Sequence, residues 1–81
     1  MIFLEAGKCY TFRPGRPWLF WKSRNSNDRA FRTGTEIFLV LETYEIHDIY
    51  YSYKVFVKDS IHYIRVRKDL LNHSEIFETV S

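Results

Sequence analysis

The sequence predicts an all-β fold, a small antiparallel barrel of five strands. Three observations carry this. The run Thr35 to Arg67 holds three segments rich in β-branched and aromatic residues, Thr35–Glu45, Tyr50–Lys58 and Ile61–Arg67, separated by short polar breaks. Within these segments apolar residues recur at every second position rather than at the three-and-four spacing of a helix. The chain is only 81 residues long, yet it carries seven Phe, six Tyr and two Trp, so large rings can fill a small core.

The central meander is the best-defined part. Side chains alternate along a strand. In the first segment Ile37, Leu39 and Leu41 therefore share one face and Phe38 and Val40 the other. Apolar residues on both faces predict a central strand covered on each side. In the second, Tyr51, Tyr53, Val55 and Val57 share a face, opposite Ser52, Lys54, Phe56 and Lys58. In the third, Ile64 and Val66 oppose Arg65 and Arg67. Asp59-Ser60 is placed to make a tight hairpin turn, and Glu45–Ile49 to form an exposed connection.

Before the meander, Glu5-Ala6-Gly7-Lys8 predicts a turn with Gly7 at positive φ. Lys8–Arg13 predicts the first strand, which Pro14 ends because proline has no amide to donate. A long first loop follows, in which Trp18–Lys22 reads as a short strand or one arm of a hairpin and Ser23–Arg29 as a polar turn cluster. After the meander, Lys68–Asn72 predicts one 3₁₀ turn and Glu75–Val80 a last strand. The expected core is Tyr10, Phe12, Ile37, Leu39, Leu41, Tyr53, Val55, Val57, Ile64, Val66 and Leu70.

Composition bounds the function. One domain is expected at this length. The single Cys9 excludes an internal disulfide and a multi-cysteine zinc site, and a reducing compartment is the simpler reading. Met1–Leu4 is too short for a signal-peptide core, and no apolar run could span a bilayer. The net charge of +2 hides an asymmetry: Lys8 to Arg32 holds seven basic residues and one acid, whereas Thr33 to Ser81 holds five basic residues and eight acids. A basic arm on a mildly acidic body results.

No catalytic constellation stands out. His47, His62 and His73 lack metal-ligand spacing. Cys9 reads as a small buried hydrophobe rather than a nucleophile, and Asp48, Asp59 and Asp69 read as turn or cap residues. The chain is therefore expected to be no enzyme and to use no metal or small-molecule cofactor. The candidate binding residues are Arg13, Arg16, Trp18, Phe20, Trp21, Lys22 and Arg24 in the long loop. Rings there could fill a partner's pocket or stack on bases, while cations engage carboxylate or phosphate. Against this stands the simpler reading that the rings cap the barrel and the charges are solvated. Arg65, Arg67 and Lys68 form a second basic group, read in the first place as the solvated outer face of a strand and in the second as a patch that the fold could join to the loop.

The order of elements is strand, long loop, three strands, one turn, strand. With Leu4–Phe12, Gly34–Leu41, Tyr53–Val57, Ile61–Ile64 and Leu70-Leu71, the chain resembles small SH3-fold proteins of tailed bacteriophages. The resemblance implies an SH3-like barrel and a phage-encoded accessory protein acting in the bacterial cytoplasm. The ligand groove of eukaryotic SH3 domains does not carry over, because the Ala-Leu-Tyr-Asp-Tyr segment and the paired tryptophans are missing. The expected function is a module that docks on a bacterial host protein and inhibits or redirects it. The alternative is a nucleic-acid-binding barrel that uses the basic aromatic loop 13–32. No membrane partner is expected.

Overall fold

The computed structural model describes residues 4–13, 19–23, 29–32, 36–46, 48–67 and 76–80, with the backbone alone for 29–32 and 44–46. The described residues form seven strands: β1 (Cys9–Phe12), β2 (Leu19–Trp21), β3 (Arg29–Arg32), β4 (Ile37–Ile46), β5 (Tyr50–Val57), β6 (Ser60–Arg67) and β7 (Phe77–Val80). They make one antiparallel sheet in the order β3-β2-β6-β5-β4-β1-β7. The all-β expectation holds. The count exceeds the expected five because the long loop is itself structured: β2 and β3 pair antiparallel as its two arms. No ladder joins β3 to β7 among the described residues, so the sheet is open. The predicted 3₁₀ turn and Leu70 lie outside the described residues.

The sheet is strongly curled. Phe12 of β1 and Phe20 of β2 have three strands between them in the sheet order, yet their ring centroids are 5.8 Å apart. Four strand spacings of a flat sheet would separate them by about 19 Å. Bulges in β4 supply much of this curvature. Leu41 and Tyr44 are extra residues in the β4–β5 ladder, between Val40 and Glu42 and between Thr43 and Glu45. Each such insertion bends the strand and raises its twist. β4 pairs along one edge with β1 through Ile37–Leu39 and along the other with β5 over most of its length.

The interior is divided between rings and aliphatic side chains. Tyr10, Phe12, Phe20, Phe38 and Phe77 are buried together. Phe12 lies 5.0 Å from Phe77 and 5.4 Å from Phe38, and Phe20 meets Phe38 edge-on at 5.7 Å. Tilted and edge-to-face contacts of this kind add to the area term. Val40, Val55, Val57, Ile64 and Val66 are buried in the same core with Tyr51 and Tyr53. Two hydroxyls tie the N-terminal segment to this core. Glu5 N donates to Tyr10 Oη at 2.9 Å, and Leu4 N to Tyr53 Oη at 3.4 Å. Burial pushes the Tyr53 phenol up to about 12, against the smaller lowering effect of the Leu4 amide.

One core expectation fails. Ile37 is exposed, and Leu39 and Leu41 are only half-buried, whereas Phe38 and Val40 are fully buried. The ring cluster takes Phe38 because Tyr10 is its cross-strand neighbour and Phe12, Phe20 and Phe77 surround it. Ile37 and Leu39 then point outward by alternation, and Leu41 sits at a bulge. Cys9, a register partner of Leu39, also faces outward and is half-buried, not buried.

The turns follow their backbone demands. Gly7 has φ +86°, and Lys8 N donates to Glu5 O at 3.3 Å. Glycine at the third position satisfies a type II turn. The β5–β6 hairpin turns at Lys58-Asp59 rather than at Asp59-Ser60, since Val57 and Ser60 are the last paired residues. Both turn residues have positive φ, 52° and 62°, the requirement of a type I′ turn. Glu45 and Ile46 extend β4 instead of forming a connection.

Candidate functional site

β2 runs beside β6, with Trp21 opposite Tyr63. This pairing joins the long loop to the end of the meander. Alternation directs Phe20 into the core and Trp21 outward, where it is half-buried. On β6 the outward positions are Ile61, Tyr63, Arg65 and Arg67, because Ile64 and Val66 are buried. The Arg65 guanidinium carbon stands 4.1 Å from the Trp21 ring centroid. A cation over an indole face at this distance contributes about 0.5–2 kcal/mol, more as water is excluded.

The surrounding outer face completes the site. Register partners run Glu42, Lys54, Tyr63, Trp21 from β4 across β5 and β6 to β2. Lys54 Nζ lies 4.0 Å from Glu42 Oε1, so its charge is partly answered within the chain. Ser52, the register partner of Arg65, is buried, and its Oγ has no hydrogen-bond partner among the described residues. Lys22 and Arg67 are exposed at the margins. The arrangement offers an aromatic surface with a stacked guanidinium and flanking ammonium groups. It can seat a planar or apolar group and engage an anion beside it.

The expected loop site is therefore divided. Trp21 and Lys22 lie on the outer face, whereas Phe20 is fully buried and belongs to the core, so it cannot contact a partner. Arg13 is exposed, with its amide donating to Ile76 O at 2.8 Å. Arg16, Trp18 and Arg24 lie outside the described residues. Sequence reasoning missed Tyr63 and Lys54 as members of the cluster. Their signal was their outward parity on β6 and β5, the same parity that exposes Arg65.

His62 is half-buried, with Nδ1 3.3 Å from the Ser60 carbonyl and its ring edge-on to Phe20 at 6.3 Å. His47, His73 and Asp69 lie outside the described residues. Among the described residues no group of three or more His, Cys, Asp or Glu could hold a metal ion. Among the described residues no helix is long and apolar enough to cross a membrane. No protein-family model, curated protein or solved structure matches the chain.

Proposed function

We propose that the protein is a non-enzymatic binding module, an SH3-like barrel of phage type that docks on a bacterial host protein in the cytoplasm and inhibits or redirects it. The barrel reading is supported by the chain order, in which a first strand, a long excursion and a three-stranded meander are followed by a last strand returning beside the first. The phage origin, the host partner and the compartment rest on the resemblance of the apolar and turn spacing. The observation that carries the binding role is the outward Trp21 under Arg65, next to Tyr63. Trp, Tyr and Arg are the residue types that most often anchor protein interfaces.

A nucleic-acid partner is the second reading, since an indole flanked by cations can also stack a base. The protein reading is preferred for two reasons. Lys54 is partly neutralised by Glu42, and the chain from Thr33 onward carries eight acids against five bases, which shortens any phosphate track.

The test is affinity capture from bacterial lysate, with and without nuclease, using the wild-type chain and Trp21→Ala. A nuclease-resistant partner that the variant loses supports the protein reading. The expected loss is on the order of 30-fold in affinity, as for an aromatic anchor worth about 2 kcal/mol. Tight binding to random duplex or single strands that falls steeply with salt would overturn it in favour of nucleic acid.

A further inference from the structure

A second surface lies on the outer face, centred on β4 and β5. Cys9, Leu39, Phe56 and Ile61 are successive register partners across β1, β4, β5 and β6, and all four point outward. Ile37 stands two residues from Leu39 on the same side. Ile37 is 54% exposed, Phe56 41% and Ile61 45%, and they are three of the five large hydrophobics exposed among the described residues. Such a concentration differs from the singly scattered apolar residues of an ordinary surface.

The charges at the two ends of this band share one sense. At one end Glu36 lies 3.4 Å from Lys58, and at the other Glu42 lies 4.0 Å from Lys54. In both pairs the acid belongs to the β4 side and the lysine to the β5 side. The rim carries two charges of each sign, so it offers no net attraction to a strongly charged partner. Its pattern is complementary to itself.

We propose that this face binds a second copy of the chain, in a two-fold dimer whose axis runs along the strands between β4 and β5. Rotation about that axis lays β4 of one copy over β5 of the other. Leu39 then packs on Phe56 of the second copy along the crest of the curled sheet, while Cys9 and Ile61, on the flanking strands, stand at the edge of the contact. Glu42 faces Lys54 and Glu36 faces Lys58 of the second copy, at both ends and in both directions. The interface is isologous, as a closed dimer requires. Exchanging these surface ion pairs across the interface costs little, since each contributes about 0–1 kcal/mol within the chain. The gain comes from removing Ile37, Leu39 and Phe56 from water, with Ile61 at the edge. A handful of residues per copy is far below the roughly 20–30 of a standard interface, so the dimer is weak and reversible. The proposal does not use Trp21, Tyr63 or Arg65, but it shares Glu42 and Lys54 with the margin of that site.

The test is sedimentation of the full chain from about 10 µM to 1 mM, a range that brackets weak association. The wild-type protein should pass reversibly from monomer to dimer. Two charge variants separate this geometry from general stickiness. Glu36→Lys with Glu42→Lys makes the rim wholly basic, and Lys54→Glu with Lys58→Glu makes it wholly acidic. Each alone should be monomeric. Mixed in equal amounts they should form a heterodimer, because every facing pair is again opposite in charge. If either variant loses its fold, Phe56→Lys provides the reading instead, and it must weaken dimerisation at least about tenfold. A wild-type chain that stays monomeric at the top concentration would overturn the proposal. So would a mixture no more associated than its components, or a folded Phe56→Lys protein that dimerises like the wild type.

Discussion

Ile37 and Phe38 are neighbours in β4, both large and apolar, and the fold treats them oppositely. Phe38 is fully buried among Tyr10, Phe12, Phe20 and Phe77, while Ile37 is more than half exposed. The same contrast extends through the sheet, with Val55 inside and Phe56 outside, Ile64 inside and Ile61 outside. Hydrophobicity does not separate these residues. Contact with the ring cluster and the sense of the curl do. A small curled sheet has room inside for one face of each strand, and whatever apolar material the other face carries is left for partners.

The largest expected effect sets the two faces of β4 against each other. Phe38→Ala should cost about 3–5 kcal/mol, through lost burial and a cavity in the ring cluster. Ile37→Ala should change stability by no more than about 0.5 kcal/mol, as surface substitutions do. Urea denaturation of both variants reads the difference, and equal costs would break the contrast.

Next in size is an alkaline effect from the inner face. The Tyr53 phenol is raised in the folded state from 10.0 to about 12 by burial. A raised acid favours the folded state while it remains protonated. Its contribution is therefore complete below about pH 10 and is lost as pH rises towards 12. The loss should be on the order of 2 kcal/mol. Comparing wild type with Tyr53→Phe in chemical denaturation between pH 8 and 11.5 checks this, since the variant should lack that part of the decline.

A smaller effect belongs to the hairpin that joins the two faces. Lys58 and Asp59 both hold positive φ without being glycine, a conformation that costs an L-residue about 1–2 kcal/mol. Asp59→Gly should stabilise the protein by about 0.5–1 kcal/mol after the entropy cost of glycine. A fall in melting temperature would show that the Asp59 side chain contributes more than the backbone strain removes.

The sequence was legible wherever one face of a strand was polar. Lys54 against Val55, and Arg65 against Ile64 and Val66, set the facing of β5 and β6 correctly. It was illegible in β4, where Ile37 to Leu41 is five apolar residues in a row. A period of two then defines two faces but does not say which is inner. Leu19-Phe20-Trp21 has the same ambiguity: the pattern allows Phe20 either to face a partner or to cap the core, and its burial fits the second. The bulges at Leu41 and Tyr44 shift the register of later β4 residues, and nothing in their side chains announces them. The turn falls at Lys58-Asp59, one residue before the expected Asp59-Ser60, and neither Lys58 nor Asp59 carries the usual Gly or Asn signal. For the site, the outward parity of Arg65 was readable. Its position over Trp21 depends on the pairing of β2 with β6, a long-range contact that local pattern does not encode.

Thiol accessibility tests the division into two faces most directly. In a Cys9→Ser background, Ile37→Cys and Phe38→Cys place one probe on each side of the same strand. Under native conditions the thiol at position 37 should react with a small maleimide at close to the rate of the unfolded chain. The thiol at position 38 should be protected at least about a hundredfold, since its reaction requires opening of the core. Similar rates at the two positions in a folded protein, or faster reaction at 38 than at 37, would contradict the account.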